Sequence, residues 1–177
     1  YCEKPLVFCC KDTNSVKDTY EMALLLCGGK EKFDAAPTIV HYSEPISPLV
    51  YFDPAIDKVM YCAENRIPLI NFPAPQCCGS SPSTFAGALV QASAESLSGL
   101  VVHQLVTPGA PFIYGAFTTI MDMRSTIFSY GAVEMSLMTA AMAQMAQHYR
   151  LPFFGTAGCS DAKIPDAQAG WEKAMTT

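Results

Sequence analysis

The sequence predicts an α/β fold made of consecutive βα units, and three observations carry that reading. Five short apolar, β-branched or aromatic runs recur along the chain, each with proline at or just before its start. Helical patterns fill the gaps between them. The run starts, Pro5, Thr38, Pro68, Pro111 and Pro152, lie 33, 30, 43 and 41 residues apart, which is room for a strand and the crossover helix that parallel pairing requires. Such units build either a doubly wound sheet or a (β/α)8 barrel, and the period alone leaves the two open.

The first run is PLVFCC, from Pro5 to Cys10, and a helix over Val16 to Cys27 follows it, stopped by Gly28-Gly29. TIVHY (Thr38 to Tyr42) is the second strand, followed by a helix over Ala55 to Arg66. PLINF (Pro68 to Phe72) is the third, and a long helix runs from Ser83 to about Val106, ending at Pro108-Gly109. PFIY (Pro111 to Tyr114), a helix over Val133 to Tyr149, PFF (Pro152 to Phe154) and a last helix opening near Asp166 complete the series. GLVVHQL (Gly99 to Leu105) has the composition of a strand, but Val101 and Leu105 continue the helical series of Ala86, Val90 and Leu97. A strand there would also stand one tight loop from PFIY, too close for a parallel neighbour.

Composition narrows the function. The 177 residues are 50% hydrophobic and 15% charged, enough for a well-buried core, and the net charge of −5 comes without a basic cluster. A phosphate-backbone binder needs such a cluster, so no nucleic-acid partner is expected. No apolar run approaches the ~20 residues of a membrane span, and no leader is recognised, so a cytoplasmic setting is expected. Eight cysteines include the adjacent pairs Cys9-Cys10 and Cys77-Cys78, which suit a reducing compartment better than a disulfide framework. No CxxC occurs and His41, His103 and His148 are far apart, so no metal is expected to be held by this chain. GxGxxG, Walker A and GxSxG patterns are absent. The chain begins with Tyr and reaches its first strand at once, which reads as a fragment of a longer chain.

Ligand sites in βα folds lie beyond the carboxyl ends of the strands. The loops there are KDTNS (Lys11 to Ser15), SEPISP (Ser43 to Pro48), PAPQCCGSSPST (Pro73 to Thr84), GAFTTIMDMR (Gly115 to Arg124) and GTAGCSDAKIPDAQ (Gly155 to Gln168). The last three exceed the ~2 to 6 residues usual for such loops, and over-long loops are often functional.

The stretches CAENRIPLINFPAP (Cys62 to Pro75), SPSTFAGALVQASAESLSGLVVHQLVTPGAPFIYG (Ser81 to Gly115), MDMRS (Met121 to Ser125) and LPFFGTAGCSDAKIPDAQAGWEKA (Leu151 to Ala174) are collinear with the trimethylamine methyltransferase family, which the chain resembles along most of its length. The resemblance implies a (β/α)8 TIM barrel, of which residues 1–177 would supply about five βα units as one partial domain. It implies an enzyme that moves a methyl group from trimethylamine, or a related quaternary amine, to the Co(I) of a cognate corrinoid protein in methanogenesis or anaerobic methylotrophy. Members acting on trimethylamine carry pyrrolysine, whose position is expected beyond Thr177; relatives without it include glycine betaine enzymes. The implied cofactor is thus a corrinoid carried by the partner protein, and a homo-oligomer is expected. The Gln76-Cys77-Cys78 stretch departs from many relatives.

That chemistry asks for orientation and electrostatics at a barrel mouth, since methylammonium groups are held by aromatic faces and carboxylates. Tyr42, Phe72, Tyr114, Phe117 and Phe154 stand at strand ends, with Asp12, Glu44, Asp122, Asp161 and Asp166 in the loops after them. Asp161, Asp122 and Glu44 are the candidates for catalysis, and Tyr114, Phe154, Gln76 and Ser160 for substrate binding. Each has a structural rival: Asp122 as the ion-pair partner of Arg124, Gln76 as a loop anchor, Asp166 as a helix cap. His103 is read as structural, near a helix C-terminus. Two other readings stand beside this one: a Schiff-base lyase or aldolase-type barrel using Lys11 or Lys163, and a non-catalytic truncated barrel with open sheet edges.

Overall fold

A computed structural model describes residues 4–177. Its main sheet contains five parallel strands, β1 (Leu6–Cys9), β2 (Ile39–Ser43), β3 (Leu69–Asn71), β5 (Phe112–Gly115) and β8 (Phe153–Phe154), side by side in chain order. These are the five anticipated runs. Between them lie α1 (Thr13–Cys27), α2 (Lys30–Ala35), α3 (Asp53–Glu64), α4 (Phe85–Val106) and α5 (Val133–Tyr149), with α6 (Ala167–Thr176) last.

The strand order decides between the two architectures. A doubly wound sheet reverses its order at a switch point, whereas β1-β2-β3-β5-β8 advances without reversal. The helices α1, α3, α4 and α5 pack successively against one another, and one core joins Val16, Val59, Ala92 and Met142 from them to Ile39, Leu69, Phe112 and Tyr114 of the strands. These four helices therefore cover one face, and the parallel sheet forms a half-barrel.

Local chemistry explains the element ends. Asp12 caps α1 by accepting the Ser15 N–H at 2.9 Å, one turn ahead of the anticipated start, and Gly28 ends it in the left-handed region. Thr84 caps α4 and Asp166 caps α6, each accepting the N–H three residues on. The Gly99 to Leu105 stretch is helix, as its spacing requires. Helix α4 is long and apolar enough to cross a membrane by length and composition, which corrects the reading that no run came near that limit. In this fold it lies against β3, β5, α3 and α5, with Glu95 and His103 buried on its inner side.

Three short strands were not anticipated. β4 (Gln76–Cys77), β6 (Thr119–Asp122) and β7 (Ile127–Phe128) form a small sheet inside the two long loops after β3 and β5. Helix α2 was also missed; its six residues bury only Phe33, too short a pattern to register as a period.

Candidate functional site

Strand side chains alternate between faces, so the register sorts the candidate residues. Facing the helices are Phe8, His41, Leu69 and Phe112, and beyond them Ser43, Asn71, Tyr114 and Phe153. The opposite face carries Val40, Tyr42, Ile70, Phe72, Ile113 and Phe154, which form a second core with Phe117, Phe128 and Met135. Glu44, two residues beyond Tyr42, follows the same side.

The result is an aromatic wall at the carboxyl ends of the strands. Tyr42 and Phe72 have ring centroids 5.6 Å apart, and Phe72 meets Phe154 edge-on at 5.1 Å. The wall crosses β5 because that strand carries glycine there. A Cβ on Gly115 would overlap the Phe154 carbonyl oxygen and stand 2.9 Å from the Phe72 ring. Beside it, Phe117, Phe128 and Tyr130 stack on one another with centroids 4.9 to 5.2 Å apart.

Glu44 closes this wall with a carboxylate. The Tyr42 hydroxyl donates to Glu44 Oε2 at 3.1 Å. Partial desolvation raises the Glu44 carboxyl above its ordinary range, the Tyr42 bond pulling the other way. Burial, with Glu44 next in weight, pushes the Tyr42 phenol well up, so it remains a donor. Glu44 also lines a cavity of ≈ 400 Å³ with Cys9, Ser47, Phe52, Lys58 and Ala74.

The loop bearing Glu44 is pinned from beneath. Glu95, 1% exposed on α4, accepts from Ser47 Oγ at 2.6 Å and from the Leu49 N–H and Gln91 Nε2 at 2.9 Å each. Ile46 and Val50 exchange backbone hydrogen bonds of 2.8 and 2.9 Å across the loop. Asn71 Nδ2 donates to Tyr51 Oη at 2.7 Å, tying β3 into the same network.

The remaining candidates fall elsewhere. Tyr114 is fully buried on the helix-facing side, its hydroxyl 2.7 Å from Ser93 Oγ and its ring against Tyr149. This corrects the expectation that it lines the mouth: odd positions of β5 face the sheet's other side from Tyr114, at Ile113 and Gly115. Asp122 does not pair with the Arg124 side chain. It stands exposed at the β6–β7 turn, accepting from Ser125 Oγ at 2.7 Å and the Arg124 N–H at 2.9 Å, and these bonds hold its carboxyl below the usual range. Gln76 anchors its own turn, its carbonyl accepting from Gly79, Ser80 and Ser81.

Asp161 joins two loops. Its carboxylate accepts the N–H groups of Tyr130 and Gly131 at 2.9 Å each, holding Tyr130 in the aromatic stack. Ser160 Oγ donates to Glu172 Oε2 at 2.7 Å, and the Asp161 N–H reaches the same oxygen at 2.8 Å. Both residues therefore shape the rim. Lys11 and Lys163 are exposed, so neither is the desolvated lysine that Schiff-base chemistry asks for.

The sequence reading missed Lys58, Glu95 and Tyr130. Lys58 occupies the buried stripe of α3 with Ala55, Val59 and Cys62, a helical spacing that was readable. Glu95 is the one charged residue between Phe85 and Val106, a second readable signal. Nothing in the sequence joins Tyr130 to Asp161. Among the described residues no group of three or more His, Cys, Asp and Glu could hold a metal ion, and the seven cysteines there are free.

Comparison with known proteins covers the whole chain. The family model described as trimethylamine methyltransferase (MTTB) matches residues 1–177. Among curated relatives, the glycine betaine methyltransferase of Desulfitobacterium hafniense (strain Y51) is 35% identical over 160 residues, 90% of this chain and 33% of its own length. The trimethylamine methyltransferase MttB of Methanosarcina barkeri (strain Fusaro / DSM 804) is 40% identical over 150 residues, 85% of this chain and 30% of its own. A Desulfitobacterium hafniense (strain DSM 10664 / DCB-2) protein of that same name is 36% identical over 160 residues. The chain spans about a third of the length of the curated relatives it matches.

Proposed function

The chain belongs to the trimethylamine methyltransferase family, and from that premise we propose that it supplies about five βα units of a (β/α)8 barrel that moves a methyl group from a methylated amine to the Co(I) of a corrinoid protein. The substrate is trimethylamine or a related quaternary amine such as glycine betaine, and the setting is cytoplasmic. The observation that supports this reading is the wall of Tyr42, Phe72 and Phe154 ending on the Glu44 carboxylate. Aromatic faces attract a methylammonium through the ring quadrupole, and an adjacent carboxylate adds Coulomb attraction in a partly desolvated site.

The corrinoid, carried by its own protein, supplies the nucleophile when docked. This chain's residues bind and orient the amine. The wall fixes the cation's position on the inner face, Glu44 holds its charge, and the Tyr42 hydroxyl aims Glu44. Asp161 and Ser160 act as positioning residues for the rim, and Gln76 and Asp122 hold their loops.

The test is methyl transfer by the full-length protein to its corrinoid protein. Glu44→Gln keeps the hydrogen bond from Tyr42 and removes the charge, so a rise in KM of about tenfold, equivalent to ~1.4 kcal/mol, is expected with fold intact. Unchanged kinetics in both Glu44→Gln and Phe72→Leu would remove the site from this face.

A further inference from the structure

The cavity beside Glu44 contains a cation that the reading above does not use. Lys58 is 6% exposed, and its Nζ donates to the Cys10 carbonyl at 2.8 Å, at the end of β1. Among the described residues no carboxylate lies within ion-pair distance of it, the ion pair found there being Lys30–Asp34. An ammonium carries three donors, so two remain for the cavity that Lys58 lines together with Glu44, Ser47 and Phe52. A buried charge without a counter-ion is costly, which makes such a group a candidate for ligand recognition.

We propose that Lys58 is a specificity-determining residue that receives the anionic end of the substrate, so that the site takes a small zwitterion whose quaternary ammonium rests by Glu44 and whose carboxylate lies against the Lys58 ammonium. This deepens the methylamine reading and rests on it. The acid and the base line one cavity of ≈ 400 Å³, within the range of small-ligand pockets. Two groups of opposite charge there, held apart beyond ion-pair distance, match a ligand that carries both charges in the reverse order. Phe52, lining the same cavity, supplies an apolar face for methyl groups. A simple methylammonium would leave Lys58 without a counter-ion.

Calorimetric titration of the full-length protein with glycine betaine and with tetramethylammonium separates the possibilities. Glycine betaine should bind at least tenfold more tightly than tetramethylammonium. Lys58→Met should abolish that preference by weakening glycine betaine alone, and Lys58→Arg should keep it. Equal affinities in the unaltered protein would overturn the proposal without any variant, and equal weakening of both ligands by Lys58→Met would make Lys58 structural. If trimethylamine binds and neither of these ligands does, this proposal fails while the methylamine reading stands; if none of the three binds, the methylamine reading itself fails.

Discussion

Replacing Glu95 by alanine tests whether a buried carboxylate sets the position of the candidate site. Three donors converge on it: Ser47 Oγ at 2.6 Å, the Leu49 N–H at 2.9 Å and Gln91 Nε2 at 2.9 Å. A hydrogen bond to a charged group contributes ~1.5 to 3 kcal/mol, so the simple sum is the upper limit. The loss will be smaller, because Gln91 keeps its bond to the Ser80 carbonyl at 2.8 Å and Ser47 is half-buried, within reach of water. Leu49 has a φ of 57°, a left-handed conformation that a leucine holds only when its surroundings enforce it. We expect ~2 to 4 kcal/mol of lost stability, localised to the loop between β2 and α3. Hydrogen exchange of peptides covering residues 44–52 reads this directly, as a fall in protection of roughly 30- to 1,000-fold. Glu95→Gln retains one acceptor and should lie between. Protection unchanged in Glu95→Ala would refute the argument that this carboxylate holds the Glu44 loop.

Gly115→Ala should push Phe72 and Phe154 apart at a cost of ~1 to 3 kcal/mol, and weaken methylammonium binding in a titration while leaving the Lys58 cavity intact. Asp161→Ala removes two bonds to backbone N–H groups, so ~1 to 2 kcal/mol of local stability should go, with KM rising because Tyr130 leaves the stack; a change confined to kcat would contradict a positioning role. His41 and His103 are fully buried, and burial, aided for His41 by the nearby Lys58 charge, lowers each imidazole from 6.5 to about 4. A base whose folded value is depressed stays neutral in the fold while the unfolded chain protonates first. Its contribution is complete above pH 6.5, is lost as pH falls toward 4, and amounts to up to ~3 kcal/mol per histidine. Urea unfolding at pH 7 and pH 4.5 should show the loss, and His103→Phe should reduce the slope.

Local sequence was informative wherever one interaction dominates. Apolar, β-branched and aromatic content located β1, β2, β3, β5 and β8 to within two residues, because the strands of a parallel sheet read as near-continuous apolar runs. Gly28-Gly29 stopped α1 and Asp166 opened α6 through capping chemistry that depends on neighbours alone. The collinear blocks pointed to the family because they span most of the chain. Strand order, by contrast, required the tertiary structure: the spacing of βα units is the same in both architectures, and only pairing without reversal shows the half-barrel.

Of the candidate site, Glu44 and Phe154 were legible from their places after strands and stand on the inner face. Tyr114 was misplaced because its position at a strand end does not state which face it takes; a shift of one residue sends a side chain to the opposite side. The bonds from Asp161 to Tyr130, from Glu95 to Ser47 and the approach of Lys58 to Cys10 join residues 31, 48 and 48 positions apart. Composition and periodicity are properties of neighbours along the chain, so they determined the elements, the family and the chemistry on offer. Which carboxylate meets which amide, and which buried cation meets a carbonyl with no carboxylate beside it among the described residues, are properties of packing between distant segments, and only the folded arrangement decided them.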